Sequence, residues 1–221
     1  MRYARTIQLL SCGLLVLCGS SVHAQTLAQK KPAAYALGVS MGFASYQLQV
    51  LAIKHGDGLV YRDAAASASG AITFIRSLNE AKDAPANMLD PAILSNFVGV
   101  SRSSVSFPTE EQFVDYIKSQ YDQLVAVRTS YSATLSRVSP DLANAYNLGV
   151  NLAIAEGQTT AGEPARQIVY ASLVNARSAA QALKLDMSEL NVCIELAGGK
   201  TSLEELRNRI SSVRTTYQSL L

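Results

Sequence analysis

Apolar residues recur along most of this chain at the three- and four-residue spacing of one helix face, and no stretch alternates as a strand does. The stretch 33–53 carries no charge. Within it Ala34, Gly38 and Gly42 stand four apart and so line one helical stripe, flanked by Leu37, Met41, Leu48 and Leu51. The pattern Ala-Tyr-x-Leu-Gly-Val at 34–39 returns at 145–150, and Gln47 and Gln158 match again farther on. Glycine inside a helix costs about 1 kcal/mol against alanine. Its presence at both Gly38 and Gly149 predicts two central helices approaching closely, with Tyr35 and Tyr146 at equivalent places beside the contact.

The rest of the chain corresponds more weakly. A helix over about 61–79 (Ile72, Phe74, Ile75, Leu78) matches one over about 164–183 (Ile168, Val169, Leu173, Val174). Short helices follow, opened by Asp90-Pro91 and by Asp186, with Gly99 and Gly198-Gly199 as terminators. Thr109-x-x-Gln112 and Thr201-x-x-Glu204 read as capping boxes that open two amphipathic closing helices. One face of the first carries Phe113, Ile117, Leu124, Tyr131 and Leu135, and one face of the second carries Leu206, Ile210, Val213 and Tyr217. The predicted fold is all-α: about eight helices, formed by two tandem copies of a four-helix unit packed into one bundle-like domain. The first copy spans 25–138 and the second 139–221, starting at Ser139-Pro140.

The first 24 residues lie outside this scheme. Arg2 and Arg5, an apolar run at 7–17 and Val22-His23-Ala24 have the order of a secretory signal peptide, and cleavage would leave Gln25 first. The apolar run is short of the roughly 20 residues of a membrane span. Cys18 raises lipid anchoring, but Leu17 stands where lipoprotein signals place a small residue, so soluble export is expected. An exported protein has no ATP-driven chemistry and few nucleic-acid roles. Losing Arg2 and Arg5 brings the 19 Lys+Arg down to 17, equal to the 17 Asp+Glu. That neutral balance gives no electrostatic footprint for nucleic acid. The 33–53 stretch is long enough for a membrane helix, yet its counterpart carries Asn144, Asn147, Asn151 and Glu156, so a buried core helix is expected and no transmembrane span.

No motif assigns a catalytic, cofactor or metal site. Only Cys193 survives cleavage, and it lies in the apolar run 190–194, as a buried small hydrophobe does. His55, Asp57 and Asp63 match no established ligand spacing and read as a solvated loop. Glu110-Glu111 and Glu204-Glu205 occupy first helical turns, where they complement the macrodipole. The positions left for ligand binding or helix contact are Tyr35, Gly38, Gln47, Tyr146, Gly149 and Gln158. The expected function is an exported, non-catalytic binding or envelope-associated module, its partner a small molecule or envelope protein. The alternative is a hydrolase whose site is assembled from sequence-distant residues, and homo-oligomerisation through the exposed face of 109–137 is a further option. Leucine at Gly38 or Gly149 is expected to overpack the stripe, and alanine to be mild.

Overall fold

The computed structural model describes residues 25–54, 58–102 and 109–221. Among them are eight α-helices and no strand: α1 (Lys31–Lys54), α2 (Gly58–Asn79), α3 (Ala92–Arg102), α4 (Glu110–Val138), α5 (Pro140–Gln158), α6 (Arg166–Ala182), α7 (Ser188–Gly198) and α8 (Leu203–Leu220). The all-α bundle expected from the periodicity is present. No described helix is long and apolar enough to cross a membrane. The signal segment, His55 and Asp57 lie outside the described residues; Asp63 is exposed.

The central pair is α1 and α5. Ala34, Tyr35, Leu37, Met41, Ala44 and Leu48 of α1 are fully buried, and thirteen of the 19 residues of α5 are buried. A helix apolar on nearly every side must be surrounded by others. α1 packs on α2, α4 and α5, while α5 packs on α1, α4, α6 and α8. The glycine stripes meet. A Cβ on Gly38 would overlap the carbonyl oxygen of Tyr146 and lie 3.0 Å from the Val150 nitrogen; a Cβ on Gly149 would overlap the Tyr35 carbonyl oxygen and lie 2.9 Å from the Val39 nitrogen. A Cβ on Gly42 would come within 2.6 Å of the Val150 carbonyl oxygen. The expectation that alanine is mild is therefore corrected. The obstacle is main chain, which cannot swing aside as a side chain can.

Local signals set most helix ends. Asp90 and Asp186 carboxylates accept from the amides of Ala92 (2.9 Å) and Ser188 (3.0 Å), placing the starts of α3 and α7. Ser139 is extended and Pro140 opens α5, where its missing N–H is not needed. Thr109 caps α4 by accepting from Gln112 N at 3.3 Å. Two expectations shift. The cap of α8 is Ser202, which accepts from Glu205 N at 3.2 Å, one residue beyond Thr201 and Glu204. Gly99 lies inside α3, which continues to Arg102, whereas Gly198 does end α7. Glycine stops a helix only when the chain beyond it turns away.

Tyrosines lock the outer helices to this frame. Tyr35 of α1 donates to the Arg214 carbonyl of α8 at 2.7 Å, and Tyr146 of α5 donates to the Arg128 carbonyl of α4 at 3.2 Å. Tyr131 of α4 donates to the Asp90 carbonyl, and Tyr217 of α8 to the Asp186 carbonyl at 2.7 Å. Each hydroxyl is the polar end of a largely buried ring and needs such a partner. Burial raises all four phenols above their ordinary pKa, Tyr217 to about 12.

Candidate functional site

The six positions singled out by sequence sit at contacts between helices. Tyr35 and Tyr146 are fully buried, and Gly38 and Gly149 are pressed against the facing helix. The glutamines have unlike partners: Gln47 accepts from Ser67 Oγ of α2 at 3.1 Å, whereas buried Gln158 donates to Gln49 Oε1 of α1 at 2.7 Å. Near Gln158, the Tyr46 hydroxyl bonds Thr160 Oγ1, and Gly157 leaves room for the Tyr46 ring. Glu156 is likewise internal, held by Arg214 Nε at 2.7 Å, with the guanidinium 5.4 Å from the centre of the Phe43 ring. These groups are spent on helix contacts.

Open volume lies elsewhere. A groove of about 680 Å³ runs between α3 and α4, continued by the turn before α3. Its floor is apolar: Met88, Phe97, Val127 and Tyr131 are all at most 8% exposed. Ile93 stands at the rim, 46% exposed. Around that floor sit the amides of Asn87, Asn96, Gln120 and Gln123. Among the described residues only the last has a side-chain partner, Ser119 Oγ at 3.3 Å. Among the described residues Asp90 is the one charged residue in the lining, and its carboxylate accepts from Ala92 N. An apolar floor with a few convergent polar groups is the usual build of a small-ligand site, whose volumes run about 300–1,000 Å³.

Between α7 and α8 lie a smaller cleft of about 100 Å³ under Tyr217 and, beside it, a shallow polar hollow of about 510 Å³ at Glu189, Ser202 and Arg209. The two clefts differ at particular residues. Three and seven positions after Asp90 stand Ile93 and Phe97; the same steps from Asp186 reach Glu189 and Cys193. Eleven positions before Tyr131 is Gln120, and eleven before Tyr217 is Leu206. Cys193 of α7 and Leu206 of α8 are fully buried, and Glu189 lies 3.9 Å from Arg209 across the two helices. In the α3–α4 groove the larger Phe97 ring and the polar Gln120 are part of the lining, and Ile93 and Gln123 stand at the places that Glu189 and Arg209 occupy in the sequence match. Sequence reasoning passed over this groove, although a signal was present. Val127-Arg128-Thr129-x-Tyr131 is spelled again as Val213-Arg214-Thr215-x-Tyr217, and that register exposes Gln120 against Leu206.

Reactive chemistry is not concentrated in either cleft. Cys193 is buried and burial pushes its thiol up to about 11, so it is not a thiolate at neutral pH. Among the described residues no three His, Cys, Asp or Glu side chains come together as a metal site would need. Glu163 and Arg166 form a close pair at 2.7 Å, and Arg166 also donates to the Thr201 carbonyl at 2.7 Å, tying the start of α6 to the α7–α8 turn. No family model, curated protein or solved structure matches this chain.

Proposed function

We propose that this chain is an exported, non-catalytic binding module built from two related four-helix units, α1–α4 and α5–α8, and that its ligand site is the α3–α4 groove. The observation that carries the reading is the groove: about 680 Å³ over an apolar floor of Met88, Phe97 and Val127, with the amides of Asn87, Asn96 and Gln120 at its edge. The paired tyrosine bonds and the reciprocal glycine contacts support a duplicated scaffold, whose two outer helix pairs carry clefts lined by different residues. Export rests on the charged, apolar and small-residue order of the first 24 residues.

Native mass spectrometry of the chain isolated from the compartment it is exported to tests the reading. The expected spectrum contains a small-molecule adduct that disappears in Ile93→Glu. Turnover of a hydrolase substrate panel, lost on changing Asp90 or one of the amide side chains, would instead establish the enzyme.

A further inference from the structure

The two clefts share a frame but differ in charge. Beside the α7–α8 cleft Glu189 and Arg209 approach to 3.9 Å, so carboxylate and guanidinium bridge the helices. In the α3–α4 groove the corresponding places hold Ile93 and Gln123, and among the described residues its lining holds no cation. An anionic ligand would find no counter-charge there. A cationic one would find only the Asp90 carboxylate, which is exposed to solvent, where an ion pair contributes at most about 1 kcal/mol. Removing an ionic group from water without a partner is costly, so such ligands are discriminated against. The amides of Asn87, Asn96 and Gln120 offer both donors and acceptors with no protein partner among the described residues. Those groups suit neutral hydroxyls and ether oxygens, while Met88, Phe97 and Val127 suit an alkyl chain or a ring face.

We infer that the α3–α4 groove takes an uncharged amphiphile, with an apolar portion on the floor and a neutral hydroxylated head against the amides, as in an alkyl glycoside. This rests on the binding-module reading and narrows it to one class of ligand.

The test titrates three probes sharing an octyl chain into the exported chain: octyl glucoside, octanoate and octyltrimethylammonium, each below its micelle-forming concentration. Chemical-shift changes of the backbone amides locate the site. Octyl glucoside is expected to saturate, shifting residues around Ile93 and Gln120, with an affinity at least about tenfold above either ion. Ile93→Glu/Gln123→Arg, which installs the other cleft's ion pair, should weaken it by about tenfold or more. Glu189→Ile in the α7–α8 cleft should leave it unchanged, and an unaltered melt of each variant shows that folding is intact. An ionic probe that saturates at this groove as tightly as the glucoside overturns the inferred ligand class but leaves a binding module. Absence of saturable binding by the glucoside, or binding indifferent to the double substitution, also overturns the inference, while the adduct measurement above decides the broader reading separately.

Discussion

Gly38→Ala is the most demanding perturbation of the frame, because it adds a single methyl group. A Cβ there would overlap the Tyr146 carbonyl oxygen and lie 3.0 Å from the Val150 nitrogen, where ordinary contact begins at 3.4 Å. Both atoms belong to the α5 main chain, so α1 and α5 must separate locally by about an ångström, loosening the contacts around it. Overpacking of this kind costs about 1–3 kcal/mol. Alanine recovers about 1 kcal/mol of helix propensity, leaving a net loss of up to about 2 kcal/mol. For a domain of this size each kcal/mol moves Tm by about 2–4 °C, so a fall of several degrees is expected. Gly149→Ala should behave alike, since its Cβ would meet the Tyr35 carbonyl oxygen in the same manner. The double variant should lose less than the sum, because one separation of the helices relieves both overlaps. Gly70→Ala is the internal control: its Cβ would lie 3.6 Å from Ser40 Oγ, an ordinary contact, so it should stabilise by about 1 kcal/mol. The assay is thermal unfolding followed by far-UV circular dichroism. Gly38→Ala and Gly149→Ala melting at or above wild type, together with Gly70→Ala, would refute the main-chain contact.

Arg214→Met leaves the Glu156 carboxylate largely buried without its partner and should cost about 3–5 kcal/mol in urea unfolding, and Glu156→Gln/Arg214→Met should recover part of that. A double variant no more stable than Arg214→Met would speak against the pairing. Tyr217→Phe removes the hydroxyl bonded to the Asp186 carbonyl and should lower stability by about 1 kcal/mol, a loss readable in the same titration. Cys193 should stay unreactive to Ellman's reagent at pH 8 in the folded chain and react fully in denaturant; fast labelling of the native protein would contradict its burial. The folded chain holds the Cys193 and tyrosine protons to higher pH than the unfolded chain does, which is a stabilising contribution present below their ordinary pKa values. It is lost as pH rises, so the urea midpoint should decline from about pH 9 towards 12, and a flat profile there would be inconsistent with these raised values.

Much of the fold was legible without coordinates. The helical periodicity, the caps at Asp90, Thr109, Asp186 and Ser139-Pro140, and the stripes through Gly38 and Gly149 are local properties, set by which side chains fall on one face within a turn or two. Such signals slip by a residue where neighbours compete, as Thr201 and Ser202 do for the start of α8. They also mislead where a glycine is only a small residue inside a helix, as Gly99 is. What each face was buried against was decided by the tertiary structure. Gln47 and Gln158 occupy matching places in sequence yet bond different helices, and Glu156 finds Arg214 far along the chain. The tolerance of Gly38 for one methyl depends on a carbonyl oxygen of another helix. The α3–α4 groove depends on how two separate helices, one bearing Phe97 and the other Gln120, are set against each other. Burial of apolar surface is favourable in proportion to area and has no direction of its own. Sequence therefore states which residues leave water, while the fit of one helix on another, at the scale of a single carbon atom, decides where space remains for a ligand.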